Sequence, residues 1–300
     1  MCGIFGFFGK GTRELLERMG NSIFHRGPDE AGFYIDDVCG LGIRRLSIVD
    51  VKSGQQPCFS LDGSVISVFN GEIYNFKELR AQMESKGYKF KSDHSDSELI
   101  PNLYLEYGID FVSKLRGMFA IALYDKKTGH AFLIRDRVGK KPLYYAVKDS
   151  VLYFGSEIKV IRESISGLSV NMESVLDYFQ KKNTVAPNTI YEGVHILEPA
   201  SLLKLSASGS VSLQKYWNFE FRESLYLKTE EEYAECLIDK IEDAVRIRSY
   251  TDVEFGSYLS GGIDSTLVTG ILKNKLGIDR LKTFTLVYDE KALAGKQDDA

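Results

Sequence analysis

The chain has 300 residues, 44% of them apolar and 27% charged, which is room for two domains with buried cores and excludes wholesale disorder. Its 38 basic residues stand against 42 acidic ones, a net charge of −4, without the basic excess that marks a nucleic-acid binder. No run of about 20 apolar residues occurs, so no membrane span is expected. The apolar start Met1-Cys2-Gly3-Ile4-Phe5-Gly6-Phe7-Phe8 lacks a basic leader and stops at Gly9-Lys10, too short for a secretory signal, and a cytoplasmic chain is expected. Cys2 stands where myristoylation needs glycine. The four cysteines, Cys2, Cys39, Cys58 and Cys236, are scattered and form no CxxC pair, so reduced thiols are expected rather than a disulfide framework or a zinc site.

In chain order, the first two thirds read as short strands broken by glycine turns, at residues 3–8, 31–36, 40–49, 64–70, 118–124, 130–135, 143–147 and 151–155. Phe119, Ile121 and Leu123 alternate with Ala120, Ala122 and Tyr124, apolar on both faces, as in a strand buried between two layers. Phe76, Leu79 and Met83 predict a helix stopping near Gly87. A second helix is expected over Ser97 to Tyr107, with Pro101 tolerable only in its first turn. After Tyr216-Trp217 the texture changes. Thr229-Glu230-Glu231-Glu232 is a capping box, and Tyr233, Leu237, Ile241 and Val245 follow at four-residue spacing, predicting a long amphipathic helix. A strand near 253–259, a glycine turn, a helix from Asp264 to Lys275 and a strand at 282–288 give the parallel α/β pattern. The domains are therefore placed at 1–217 and 229–300.

A cysteine directly after the initiator methionine becomes N-terminal once that methionine is removed. It then carries both a thiol and an α-amine, whose ordinary pKa of about 7.7–8.0 lets the amine act as the base for its own side chain. The neighbours reinforce this. Met1-Cys2-Gly3-Ile4-Phe5-Gly6, His25-Arg26-Gly27-Pro28-Asp29, Arg45-Leu46-Ser47-Ile48-Val49-Asp50, Gly54-Gln55-Gln56-Pro57 and Asn70-Gly71-Glu72-Ile73-Tyr74-Asn75 occur in that order. Ser95-Asp96-Ser97-Glu98, Gly117-Met118-Phe119-Ala120, the run Arg135-Asp136-Arg137-Val138-Gly139-Lys140-Lys141-Pro142-Leu143-Tyr144-Tyr145 and Gly155-Ser156-Glu157-Ile158-Lys159 follow. Together they resemble the class II glutamine amidotransferases, the N-terminal-nucleophile family, over essentially all of residues 1–217.

The resemblance implies an αββα sandwich in which Cys2 attacks the side-chain amide of glutamine. By it, Asn70 and Gly71 form the oxyanion hole, a set of donors that suits the negative oxygen of the tetrahedral intermediate. Arg45 is the candidate for the glutamine carboxylate and Glu72 and Asp96 for its ammonium, with backbone groups of Ile48 and Val49 completing the pocket. The plainer readings are that Asn70-Gly71 is a hairpin turn and that Arg45, Glu72 and Asp96 are solvated surface charges. His25 and Arg26 are expected to hold the loop and the back of the site rather than to act as a base.

Ser260-Gly261-Gly262-Ile263-Asp264-Ser265 follows an apolar strand and opens a helix. Two glycines and a helix N-terminus favour a polyanion. Ser260 and Ser265 add hydroxyl donors, and the carboxylate of Asp264 points to a bridging Mg²⁺ rather than a protein-held metal. The plainer reading is a glycine turn before an Asp-capped helix. No G-x-x-x-x-G-K-[ST] occurs, so this is no Walker motif. The run resembles the pyrophosphate loop of the ATP pyrophosphatase family, by which Leu286 would contact adenine through its backbone.

Glutaminase plus this loop resembles the glutamine-hydrolysing asparagine synthetases. The resemblance implies glutamine, aspartate and ATP as small-molecule partners, ATP with Mg²⁺ as cofactors, and an α+β glutaminase followed by the beginning of an α/β parallel-sheet domain; homo-oligomerisation is left open. Glucosamine-6-phosphate synthase and phosphoribosylpyrophosphate amidotransferase share the glutaminase but use no such loop. Two alternatives stay open: a relative amidating another carboxylate, for instance on a surface-sugar precursor, and a non-catalytic remnant serving a full-length subunit. The sequence reaches Gln297-Asp298-Asp299-Ala300 without the family's second Ser-Gly-Glu-Gly-Ser-Asp-Glu segment, so unaided amide synthesis is not expected of these 300 residues.

Overall fold

A computed structural model describes residues 1–221 and 229–287. The last position of the strand expected at 282–288, and residues 288–300 of the expected second domain, lie outside the described residues. The chain divides into two compact units, Met1–Glu220 and Phe221–Ala300. Among the described residues no helix is long and apolar enough to cross a membrane.

The first unit opens with β1 (Gly3–Phe8), α1 (Arg13–Ser22), β2 (Glu30–Ile35), β3 (Cys39–Arg45), β4 (Cys58–Phe59) and β5 (Val65–Ile73). It continues through α2 (Phe76–Ser85), α3 (Leu99–Tyr107), α4 (Phe111–Lys114), β6 (Gly117–Asp125), β7 (His130–Arg135), β8 (Tyr144–Lys148) and β9 (Val151–Gly155). It closes with α5 (Ile158–Ser164), α6 (Met172–Lys181), β10 (Val194–Ile196), β11 (Ser201–Leu205) and β12 (Val211–Lys215). Two six-stranded sheets result, in the orders β10-β8-β9-β1-β3-β2 and β12-β11-β7-β6-β5-β4. Every pairing within them is antiparallel.

Alternation decides which residues meet between the sheets. Ile4 and Phe8 of β1 and Cys39, Leu41 and Ile43 of β3 join Ile66 and Val68 of β5, Ala120, Ala122 and Tyr124 of β6 and Leu133 of β7 in one buried cluster. The opposite parity of β1, Phe5 and Phe7, turns outward and packs on Leu16, Met19 and Ile23 at α1 and on Val160 of α5. Thr12 caps α1, its Oγ1 accepting from the Leu15 N–H at 3.2 Å. The helix comes so close to β1 that a Cβ on Gly20 would lie 2.6 Å from the Phe5 ring. On the other sheet α3 packs along β5, with Tyr104 5.7 Å from the Phe132 ring, and Pro101 falls in its first turn, where no intrahelical N–H is needed. The layers are therefore helix, sheet, sheet, helix.

In the second unit α7 (Glu230–Arg248) starts with the expected capping box, Thr229 Oγ1 accepting from Glu232 N–H at 3.2 Å and Glu232 Oε2 accepting from Thr229 N–H at 3.1 Å. Among the described residues its apolar stripe is covered toward its C-terminal end, where Val245 and Ile241 pack on Ile271 and Leu272, whereas Tyr233 and Leu237 are exposed. β13 (Gly256–Tyr258), α8 (Ile263–Gly270), a π-helical turn at Ile271–Lys275 and β14 (Lys282–Phe284) follow. β13 and β14 pair in parallel, Gly256 opposite Lys282 and Tyr258 opposite Phe284, the strand–helix–strand arrangement the sequence predicts.

Candidate active site

The alternating residues that build the inter-sheet core turn polar at one end of the sandwich. Along β1 the inward parity runs from Ile4 back to Cys2, along β3 from Ile43 to Arg45, and along β5 from Val68 to Asn70 and Glu72. Cys2, Arg45, Asn70 and Glu72, with Ile48, Val49, Gly71, Asp96 and Lys141, line one cavity of about 310 Å³. All eight residues singled out in the first unit are therefore brought together.

Cys2 is anchored on both sides. Its carbonyl accepts from Arg26 Nε at 2.9 Å, and its sulfur accepts from the Leu46 N–H at 3.4 Å. Burial pushes the Cys2 thiol up; the Leu46 N–H, the amino terminus, Arg45 and Lys141 act against that. Arg26 also reaches Glu157 at 3.1 Å, and His25 Nε2 lies 2.8 Å from the same carboxylate. Lys159 joins them, and these partners hold Glu157 down to about 2 against the effect of burial. His25 is thus engaged in a brace behind Cys2 and does not line the cavity.

Asn70 and Gly71 are not a hairpin turn. They sit inside β5 with Asn70 opposite Ala120 and Gly71 opposite Phe119 of β6. Asn70 is buried, and its Nδ2 has no hydrogen-bond partner among the described residues. On the β5 edge away from β6, Phe69 N–H donates to Gln56 Oε1 at 2.7 Å and Ile73 N–H donates to Asp96 Oδ2 at 2.9 Å. N–H groups two residues apart in a strand point the same way, so the Gly71 N–H lies on that edge between them. A Cβ on Gly71 would sit 2.0 Å from the Met118 carbonyl oxygen, which restricts the position to glycine.

Arg45 is not a solvated surface charge. It is buried, and its guanidinium donates to Glu30 Oε2 at 3.0 Å, to Val49 O at 3.2 Å and to Asp50 O at 2.8 Å. It therefore fixes the loop carrying Ile48 and Val49 as well as facing the cavity. Asp96 is buried too. Desolvation, with the neighbouring charge of Glu72, pushes its carboxyl up to about 7, while the Ile73 N–H opposes the rise. Lys141 was not singled out from the sequence. The apolar residues Leu143 and Tyr145, at the same parity further along, belong to the core and were the available signal.

In the second unit, Ser260–Ser265 joins β13 to α8 with Gly261 at φ 88°, a conformation that favours glycine. Gly262, not Asp264, is the N-cap. Ser260 and Ser265 hydroxyls lie 3.1 Å apart, and Ser265 Oγ accepts from the Ser260 N–H at 3.2 Å and donates to Gly262 O at 3.0 Å. Their first role is thus to fold the loop. Asp264 and Ser265 line a largely apolar cavity of about 680 Å³ with Ile241, Val245 and Arg248 of α7. Ser260, Gly261, Gly262 and the exposed Leu286 do not line it. Among the described residues no group of three His, Cys, Asp or Glu side chains could hold a metal.

Cys2, next to the amino terminus, thus shares a cavity at one end of two antiparallel sheets with an amide donor that has no partner among the described residues. Residues 1–217 match the family model of the glutamine amidotransferase domain, and the chain belongs to that family. Residues 237–300 match the asparagine synthase family model. Two Bacillus subtilis relatives are glutamine-hydrolysing asparagine synthetases 1 and 2. The first is 35% identical over 98% of this chain and 47% of its own length, the second 34% identical over 96% and 40%. The chain thus spans about half the length of the curated relatives it matches. The solved glutamine phosphoribosylpyrophosphate amidotransferase of B. subtilis shares the fold at TM-score 0.53, with 17% identity over 99% of this chain and 70% of that one.

Proposed function

We propose that this chain is the glutamine-hydrolysing part of an ATP-dependent asparagine synthetase. The observation that carries the reading is the meeting, in one cavity, of Cys2 with the buried Nδ2 of Asn70, which has no hydrogen-bond partner among the described residues. Removal of Met1 frees the Cys2 nitrogen as an α-amine. The amine takes the thiol proton, directly or through a water, and the sulfur bonds to the side-chain carbonyl carbon of glutamine. Asn70 Nδ2 and the Gly71 N–H receive the developing oxyanion. The C–N bond then breaks, the α-ammonium returns its proton to the leaving nitrogen, and ammonia departs from a γ-glutamyl thioester. Water, deprotonated by the same amine, hydrolyses the thioester to glutamate. Arg45 would orient the substrate carboxylate, Glu72 and Asp96 its ammonium, and backbone groups of Ile48 and Val49 its stem. The direct test is glutamate release from glutamine by the untagged chain, with an electrophilic glutamine analogue used to trap Cys2; hydrolysis without labelling at Cys2 would overturn the assignment.

The pocket carries its own pH signature. With Asp96 at about 7, the carboxylate forms as the pH rises through neutrality, so the KM for glutamine is expected to fall between about pH 6 and pH 8. Asp96→Asn should raise KM about 10- to 100-fold at about pH 8, the scale of a hydrogen bond to a charged group, leave kcat within a few-fold, and flatten that pH dependence. Steady-state kinetics over this range check both.

For the second unit we propose the opening segment of an ATP pyrophosphatase-like domain, starting near residue 229, in which ammonia meets an aspartate activated by ATP. Support comes from the parallel β13–β14 pair and the glycine loop at the start of α8. Apart from Gly261 and its two chain neighbours, no described residue has an atom within 4 Å of where a Gly261 Cβ would stand, so phosphate oxygens could approach the backbone. The loop N–H groups would hold the phosphates. Mg²⁺ would arrive with them, Asp264 offering one carboxylate, and its chemistry would be to neutralise the leaving pyrophosphate. Asp264→Ala is expected to weaken Mg–ATP binding at least about tenfold by calorimetry while glutamine hydrolysis is unchanged.

A further inference from the structure

Lys141 is a cation on the wall of the Cys2 cavity whose role the substrate does not explain. It sits between Gly139 and Leu143 on the segment entering β8 and is 7% exposed. Its backbone is clamped, the N–H donating to Asp136 Oδ2 at 2.9 Å and the carbonyl accepting from Arg135 Nε at 2.8 Å. Its ammonium donates to the Met1 sulfur at 3.6 Å, a weak acceptor for a charged donor. Removing Met1 takes that contact away and leaves a buried cation in the same cavity as the new amino terminus and the Cys2 sulfur.

We propose that Lys141 is a positioning residue for the nucleophile: its ammonium disfavours a second positive charge on the α-amine of mature Cys2 and favours negative charge on the Cys2 sulfur. The amine is thereby kept available as a base and the thiol is easier to deprotonate. The inference rests on the glutaminase reading above. Other charges face the same place. Glu72 on β5 and Asp136 beside Arg135 attract the Lys141 ammonium, and Arg26 repels it. At the Met1 amine, which precedes Cys2 before processing, burial opposes a positive charge, with Arg26 and Lys141 acting the same way, while Cys2 and Asp29 favour it. At the thiol, Arg45 acts with Lys141. Burial favours loss of the Lys141 proton, and the negative charges of Glu72 and the Cys2 sulfur oppose that loss.

The test compares the parent with Lys141→Met, which keeps the length of the side chain and removes its charge, and with Lys141→Arg, which keeps the charge. In Lys141→Met the acidic limb of kcat, read at saturating glutamine so that the Asp96 effect on KM drops out, should move up by about one pH unit, a tenfold loss below the limb and little loss well above it. Cys2 alkylation by iodoacetamide, followed against pH, should shift the same way, and Lys141→Arg should restore both curves. Lys141→Gln serves in the same assays should Lys141→Met fail to fold. An unmoved limb and alkylation curve in a folded neutral variant would overturn the inference while leaving Cys2 as nucleophile; hydrolysis surviving in Cys2→Ala would instead remove the reading beneath it.

Discussion

Cys2→Ala is expected to bring glutamate release down to background, a loss on the order of 10⁴-fold or more, because the nucleophile acts as a unit with its base and the rest of the site cannot substitute. Alanine needs no new space beside Leu46, and the brace of Arg26 on the Cys2 carbonyl involves the backbone, so the fold should persist. Glutamine should still bind, with an affinity within a few-fold of the parent, because Arg45, Glu72 and Asp96 remain in place. An N-terminal tag that blocks methionine removal should abolish hydrolysis equally well for a different reason. It keeps the Cys2 nitrogen in a peptide bond, where it cannot accept a proton. Equal loss in the two forms, with both still binding glutamine, would separate the α-amine base from a histidine base. His25 is already committed to Glu157.

Asn70→Ala should lower kcat by about 10²- to 10³-fold with little change in KM, the magnitude measured when one oxyanion donor is removed from an acyl-transfer site. The expectation follows from burial. Nδ2 of Asn70 is a buried donor with no partner among the described residues, a costly arrangement unless the donor is reserved for charge that develops only during reaction. The variant should therefore be at least as stable as the parent, since it removes that cost. A thermal melt beside single-turnover kinetics checks the two halves. A large fall in stability with kcat preserved would make Asn70 a structural residue of β5.

Much of the sandwich is legible in local patterning. Alternation in Phe119 to Tyr124 announces a strand apolar on both faces, and β6 lies in the interior of its sheet with these residues buried. The capping box at Thr229 marks the start of α7 to the residue. Other elements escape such a reading for identifiable reasons. α1 has its signals, Thr12 as cap and Leu16, Met19 and Ile23 at helical spacing, but Gly20 breaks the propensity; that glycine is required by the Phe5 ring across the interface. β10 has only three residues, and β12 is an edge strand in which all five residues, Val211 and Leu213 included, are exposed. The Asn70-Gly71 pair has the composition of a turn, yet pairing with β6 over the whole of β5 holds it extended.

The sequence by itself determined the cast of the site: a thiol placed to gain an α-amine, an amide donor beside a glycine, one guanidinium, two carboxylates, and a glycine loop before a helix. Each is a local property of residue type and spacing. The tertiary structure alone decided which of these face one another. That depends on the register between strands far apart in the chain, and a shift of one residue would turn every side chain of a strand to the other face. Register sets Cys2 and Arg45 at one end of β1 and β3, brings Asn70 and Glu72 of β5 to the same end, and admits Lys141 beside them. It is also what turns Arg45 and Asp96 from surface charges into buried ones, because only the assembled sheets exclude the water that would have solvated them.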